Sequence, residues 1–440
     1  MSRVKLYILL AAILAALAPL LLLWMLSTVP VIELDPALSV IGASTPVNVQ
    51  ITDRHGIRHF SAVIEQGDQK FPLSESSSAP RRLLFWTRKE NPSNIAFTAG
   101  TKVAPALKDG NARLVITATS NDLRGSIGNA TRDVRIVTIP PSLSVDSAQH
   151  YINQGGAELV TFSVAGYATS SGVKVGDYSF RSFAQPGKQE RFSLFAFPWD
   201  TPRTTAPVVF ATNSADQVTN QVTKGFWFRV FPKNFRKRDL VIDDAFLERV
   251  VNQIDPGGSG DLISRFLKIN GEMRKQNNKT LADLRLKTAE KFLWSGPFLQ
   301  LAGSKVESQF ADVRSYIYKG KKVDQQVHLG FDLSRVKNTP IAAANDGTVV
   351  FAEKLGIYGN CVVVDHGYGL QSIYGHLSEF QVKPGDQLKK GQTVGLSGST
   401  GLAGGDHLHY SMQVDGVQVN PVEWWDAHWI HDRILSKVRD

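Results

Sequence analysis

His407-Leu408-His409-Tyr410 follows a glycine-rich approach, Thr400-Gly401-Leu402-Ala403-Gly404-Gly405, and its reading decides what the end of the chain is. On a strand, side chains at i and i+2 share a face, so His407 and His409 point to the same side. An imidazole nitrogen binds Zn2+ at about 2.0–2.1 Å. Two such rings can supply one metal ligand and one neighbour to a bound water. Alone, a His-x-His string is equally a surface pair, so the reading depends on its company.

That company is dense. Of the ten histidines, His328, His366, His376, His407, His409, His428 and His431 all fall from position 328 onward. In His328-Leu329-Gly330-Phe331-Asp332 a carboxylate stands four residues after an imidazole. Gly330 and the nearby Pro340 argue for a bent loop or strand rather than a helix. Catalytic zinc takes three protein ligands and keeps one position open. His328, Asp332 and one of His407 or His409 complete such a set. The carboxylate offsets one of the ion's two charges, and the remaining charge acidifies water to a pKa of roughly 7. There is no His-Glu-x-x-His helix, in which glutamate serves as general base. The spare imidazoles, with an ordinary pKa near ~6.5, are the natural substitute. Tyr374-Gly375-His376-Leu377 contributes one more. His366, beside Asp365, reads as structural. His428 and His431 sit among Trp424, Trp425 and Trp429, where packing or exposure explains them. Cys361 reads as a small buried residue.

In this order and spacing, the three strings resemble the lysostaphin-type, or LytM-type, zinc metallopeptidases, from roughly Val306 to Trp425. Asp365-His366-Gly367, Lys383-Pro384-Gly385-Asp386, Gly398-Ser399-Thr400-Gly401 and Asn420-Pro421-Val422 are also similar. The resemblance implies zinc ligation by His328, Asp332 and His409, with His376 and His407 acting on the water and the tetrahedral intermediate. It implies a small antiparallel β domain with an open groove, and an endopeptidase that hydrolyses cross-links or stem peptides of bacterial peptidoglycan. Some members of the family have lost ligands and activate other wall hydrolases instead. A non-catalytic envelope regulator or scaffold is therefore the alternative, although this chain keeps every expected ligand.

Upstream, the pattern is β. Val47, Val49 and Ile51 alternate with polar neighbours, as do Leu114, Ile116 and Ala118, then Val134 and Ile136. Alternation puts one face of each strand on a core. Pro36-Ala37-Leu38-Ser39-Val40 resembles Pro141-Ser142-Leu143-Ser144-Val145, a spacing that suits two immunoglobulin-like β-sandwiches at 31–140 and 141–232. A helical connector is expected over 233–300. It opens on a solvated basic linker (Lys233, Arg236, Lys237, Arg238) and continues with Ile242, Phe246, Val250 and Ile254 at helical spacing behind Asp243 or Asp244. A second helical stretch is expected from about Asp261 into the 270s, and a third from Thr280, where Thr280 and Asp283 make a loose capping pair. The peptidase domain is expected over 301–425, with a tail at 426–440.

The first thirty residues carry an uncharged apolar run, Leu6 to Leu26, behind Arg3 and Lys5. It is long enough for the ~30 Å hydrocarbon core, so 6–26 is expected to be a retained transmembrane anchor with 1–5 as a cytoplasmic tail. The rival, a cleaved signal peptide, has a shorter apolar region and a small-residue cleavage site, which Ser27-Thr28-Val29-Pro30 does not provide. The rest of the chain is then expected in the periplasm, bound to the inner membrane. One cysteine excludes an intrachain disulfide and a Cys-rich zinc site. The net charge of +9 suits an anionic partner such as the wall polymer. Expected partners are peptidoglycan, the membrane and envelope proteins met through the β-sandwich domains, and no nucleic acid.

Overall fold

The computed structural model describes residues 3–80, 92–185, 187–213 and 221–438. The molecule is mainly β, as expected, and packs as two compact units.

The first unit comprises 1–142 with the short segments 165–169 and 211–222. Three strands, Val31–Leu34, Thr45–Thr52 and Ser93–Ala99, form one antiparallel sheet. Five strands form a second: Val40–Ile41, Ile127–Ile136, Gly110–Ser120, Ile57–Gln66 and Gln69–Ser77, in that order. Along Thr45–Thr52 every second residue is buried, so Val47, Val49 and Ile51 face inward. They meet Phe60, Leu114, Ile116, Val134 and Ile136 in one core. The expected repeat does not carry into structure. Pro36 and Ala37 form a turn and the strand there begins only at Val40, whereas Ser142–Val145 is itself a strand.

Arg3–Met25 is a helix that takes Pro19 within it. The side chains at 3, 5, 6, 9, 20 and 23, including the positive flank Arg3 and Lys5, lie outside the described residues. Among the described residues no helix is long and apolar enough to cross a membrane. Beyond the helix, Thr28 donates its N–H to Asp122 at 3.1 Å and its hydroxyl to Asp53 at 3.0 Å, fastening the exit of the helix to the β strands.

The second unit comprises 143–164, 170–210 and 223–440. One hydrophobic core runs through it from Ile152 to Val438. One compact unit thus takes in segments on both sides of residues 232 and 300. Buried polar ties have the same effect. Glu423 accepts from the Asn153 side chain at 2.7 Å and the Ala157 N–H at 2.8 Å, and Lys437 pairs with the buried Glu158 at 2.8 Å.

Its principal sheet is antiparallel. In spatial order it contains Lys305–Ser308, Phe331–Ser334, Leu408–Val414, Leu370–Leu377, Asn360–Asp365, Gly347–Lys354 and Gln387–Leu388. A three-stranded sheet lies beside it in sequence: Lys237–Ile242 pairs parallel to Asp312–Tyr318, which pairs antiparallel to Lys321–His328. The basic stretch is thus not wholly a linker. Lys237 and Arg238 begin a strand, and Arg236 binds the buried Asp312 at 2.6 Å. Helical spacing from Ile242 misassigns that residue, which ends the strand. The helix is Asp244–Ile254, capped by Asp243 accepting the Phe246 N–H. The helix behind Asp261 does not stop in the 270s. Leu262–Lys268 passes through a π turn, Ile269–Met273, into Arg274–Asp283. Thr280 sits inside that helix with its hydroxyl on the Gln276 carbonyl, so it starts nothing. A hydroxyl satisfied one turn back has no orphan N–H to cap.

Candidate metal centre

Strand pairing assembles the cluster. Phe331–Ser334 places Asp332 directly opposite His409 on Leu408–Val414, and His409 in turn stands opposite Gly375 on Leu370–Leu377. His328 arrives at the end of Lys321–His328 and turns through Gly330. The glycine is required there. A Cβ on Gly330 would stand 2.6 Å from Cε1 of His409 and 2.8 Å from the Tyr410 carbonyl. His376 sits where the ladder slips, with Gly375 and His376 opposite the single residue Cys361. Its φ is 63°, the left-handed region that side chains seldom occupy. A bulge of this kind re-aims a side chain, here toward His407, with ring centroids 4.8 Å apart.

Asp332 is the hub. Its Oδ1 lies 3.0 Å from Nε2 of His328, 3.2 Å from Nδ1 of His409 and 3.4 Å from Nε2 of His407. Nε2 of His328 and Nδ1 of His409 are 3.0 Å apart. His407 and His409 thus do reach one carboxylate from one face. Asp332 Oδ2 accepts from Arg314 at 2.6 Å. All five expected site residues meet here. Arg314 was not legible beforehand, because an arginine on a strand carries no signal of which carboxylate it will meet.

Backbone carbonyls orient three of the rings. A carbonyl only accepts, so each contacting nitrogen carries the proton. His328 donates from Nδ1 to Gln309 at 3.0 Å, His376 from Nδ1 to Thr400 at 2.8 Å, and His407 from Nδ1 to Gly405 at 2.8 Å. In the neutral rings of His328 and His376, Nε2 is then left with its lone pair, while Nε2 of His407 faces Asp332 Oδ1. Burial, helped by the charges of His407 and His409, holds His376 well below the usual imidazole range. Burial opposes protonation of His407 too, but the hydrogen bond and charge of Asp332 outweigh it and raise that group. Asp332 is lowered well below the usual carboxylate range: burial raises it, and the three imidazoles outweigh burial.

The donor set fits a small cation. Tetrahedral bonds of ~2.0–2.1 Å space ligand atoms about 3.3 Å apart. Nε2 of His328, Nδ1 of His409 and Oδ1 of Asp332 are the metal-capable group among the described residues, and stand 3.0, 3.0 and 3.2 Å from one another. Imidazole lone pairs and a carboxylate converging at that distance at a buried point call for a positive centre. His409 Nε2, by contrast, is buried without a hydrogen-bond partner, consistent with Nδ1 being the nitrogen that serves the cluster. The cluster lines a cavity of about 320 Å3. Arg274, Asn278 and Phe246 from the helical segment also line it, so that segment walls the site.

The remaining candidates are structural. His366 is buried between the Asp346 carbonyl and the Ser372 hydroxyl, both at 2.7 Å. Trp424 is fully buried against Trp294, Phe298 and Trp429. Cys361 is buried, and His428 and His431 are exposed.

Residues 326–421 match the model of peptidase family M23. DD-carboxypeptidase/endopeptidase Mpg of Neisseria meningitidis is 39% identical over 97 residues, 22% of this chain and 22% of that protein. Murein hydrolase activator EnvC of Escherichia coli is 37% identical over 95 residues, 22% of this chain and 23% of that protein. The match therefore spans under a quarter of the length of these curated relatives. The catalytic domain of lysostaphin from Staphylococcus simulans is 27% identical, covering 32% of this chain and 94% of that one, with a TM-score of 0.21. Through residues 326–421, the chain carries a domain that matches peptidase family M23.

Proposed function

We propose that this domain is a zinc-dependent endopeptidase that hydrolyses peptide cross-links or stem peptides of bacterial peptidoglycan. One observation carries the reading: three ligand atoms converge within 3.2 Å, and two more imidazoles of fixed orientation stand beside them. His328, Asp332 and His409 are the residues that would hold the ion. Bound zinc supplies polarisation of a scissile carbonyl and acidification of a water. Arg314 holds Asp332 in place through Oδ2, leaving Oδ1 for the cluster. His376 and His407, steadied through Nδ1, use Nε2 to take a proton from the attacking water and return it to the leaving amine. Whichever of the two is protonated offers its N–H to the developing oxyanion.

The likeness to a DD-carboxypeptidase/endopeptidase and to a murein hydrolase activator supports a wall substrate, as does the net charge of +9. The placement we favour puts 6–26 across the inner membrane, 1–5 in the cytoplasm and the β-sandwich domains and peptidase in the periplasm. The uncharged apolar run Leu6 to Leu26 behind Arg3 and Lys5 is what supports that placement. The likeness to EnvC favours a second reading, in which the chain activates another hydrolase.

Digestion of purified sacculi by the full chain, with mass spectrometry of the fragments, tests this. We expect new peptide ends and zinc in the protein. His409→Ala loses the zinc, while His376→Ala keeps it and loses at least about 100-fold in rate. Equal zinc in wild type and His409→Ala would overturn the ligand assignment. A zinc-loaded wild type that cuts nothing, yet stimulates an added hydrolase, would leave the activator reading.

A further inference from the structure

Helix Arg274–Asp283 brings two side chains to the cavity of the metal cluster. Arg274 and Asn278 are four residues apart, so they share a face of the helix, and both line the cavity with His328, His376, His407 and His409. The helix is fastened to the loop beside the cluster. Asn277 accepts the Ile357 N–H at 2.9 Å, and Asn278 Oδ1 accepts the Tyr358 hydroxyl at 2.9 Å. Tyr358 in turn lies edge-on to His409, with ring centroids 5.4 Å apart.

The hydrogen bonds decide which groups are left for a ligand. Asn270 is fully buried, and its Nδ2 donates to Asp324 at 2.7 Å. Its Oδ1 therefore faces Arg274 and accepts from Nη2 at 2.6 Å, while Nε of Arg274 donates to the Asn270 carbonyl at 3.2 Å. The guanidinium is held by those two nitrogens, and its Nη1 has no hydrogen-bond partner among the described residues. Asn278 gives its Oδ1 to Tyr358, whose own oxygen accepts from Gln418 Nε2 at 3.1 Å, so Nδ2 is the group of Asn278 that remains. Arg274 forms no ion pair among the described residues. Of the other charged groups lining the cavity, Arg314 and Asp332 hold one another, and Asp243 caps a helix.

What remains is donors only: a permanent positive charge and an amide N–H, one helical turn apart. An ionised carboxylate only accepts and carries the matching charge, and a guanidinium bonds it more strongly than it bonds a neutral acceptor. We infer that Arg274 and Asn278 form a carboxylate-binding subsite that selects an acidic peptide as the substrate. The carboxylate is either the peptide's C-terminal one or one on a side chain. The inference rests on the peptidase reading and assigns substrate selection to a segment upstream of residues 326–421.

Steady-state cleavage of a cross-linked muropeptide by the zinc-loaded full chain tests the subsite, with the carboxylates free, amidated at the C-terminus, or amidated on the side chain. On the free muropeptide Arg274→Met should raise KM about tenfold with kcat within about twofold, because a hydrogen bond to a charged group is lost. Asn278→Asp keeps the oxygen that Tyr358 needs and sets a negative charge against the ligand, so KM should rise at least as far. Amidation of the recognised carboxylate should raise the wild-type KM to that of Arg274→Met and leave the variants no further loss, which identifies the carboxylate. Lys275→Met, at the exposed neighbour, should match wild type. Unchanged KM on the free muropeptide in either variant overturns the inference, as does an equal loss on all three muropeptides, which a merely distorted site would give. As a second measurement, calorimetric binding of the free muropeptide to zinc-loaded His376→Ala should weaken about tenfold when Arg274→Met is added, and unaltered affinity overturns the inference. Failure of the wild type to cut would instead strike the peptidase reading, and the binding measurement would still decide the subsite.

Discussion

Gly330→Ala tests the metal centre without touching a ligand. The added methyl would stand 2.6 Å from Cε1 and 2.7 Å from Nε2 of His409, and 2.8 Å from the Tyr410 carbonyl. Ordinary carbon contacts begin at about 3.5 Å, so the imidazole must withdraw by about 1 Å. The backbone cannot yield instead, because Phe331 and Asp332 are paired with Tyr410 and His409. The same ring carries the Nδ1 that lies 3.0 Å from His328 Nε2 and 3.2 Å from Asp332 Oδ1. A metal site tolerates errors of about 0.2 Å in ligand distance. We therefore expect zinc affinity to fall by at least about 100-fold, or about 2.8 kcal/mol. Overpacking should lower the stability of the metal-free protein by about 1–3 kcal/mol. Competition against a chromophoric chelator at neutral pH measures the first, and urea unfolding in excess chelator the second. Gly271→Ala, whose added methyl meets nothing within 4 Å, is the control. If Gly330→Ala binds zinc within threefold of wild type, the close packing of glycine against His409 is not what places the ligand.

Two further perturbations reach other parts of the second unit. Arg314→Met removes the 2.6 Å partner of Asp332 Oδ2 and frees that carboxylate to rotate, so zinc affinity should drop about 10–100-fold in the same competition assay; unchanged affinity would show that the histidines alone orient it. Glu423 is raised to about 7, chiefly by burial, against the hydrogen bonds from Asn153 and Ala157. Between about pH 4.5 and 7 the folded state thus keeps a proton that the unfolded chain has released, and stability present below pH 4.5 is lost as pH rises to 7, by up to about 3 kcal/mol. His150 and His366, lowered to about 4 mainly by burial, act in the opposite sense and weaken the fold as pH falls from 6.5. Glu423→Gln isolates the first effect: its stability relative to wild type should rise across pH 4.5–7, and parallel stability curves would refute the assignment.

Local chemistry was readable wherever a side chain's role follows from its neighbours in sequence. Alternation at Val47, Val49 and Ile51 encodes a face, and an Asp ahead of an apolar helix encodes a cap, as Asp243 and Asp261 do. Thr280 misled because a threonine three residues before an acid looks alike at a helix start and in its middle. Ile242 misled because the last apolar residue of a strand also fits the period of the helix that follows it. In both cases the deciding fact is a hydrogen-bond partner, which composition does not name.

By itself, the amino-acid sequence determined which imidazoles and which carboxylate were available to a metal, and that strands would carry them, since those depend on residue type and short spacing. Only tertiary structure decided that Arg314 would grip Asp332, that a bulge would turn His376 toward His407, and that Lys237–Ile242 would pair with Asp312–Tyr318. These depend on which distant strands pair and in what register. That choice is made by burying shared cores, one from Ile152 to Val438 and one that joins Ile242, Phe266, Tyr316 and Cys361, and no local pattern records it.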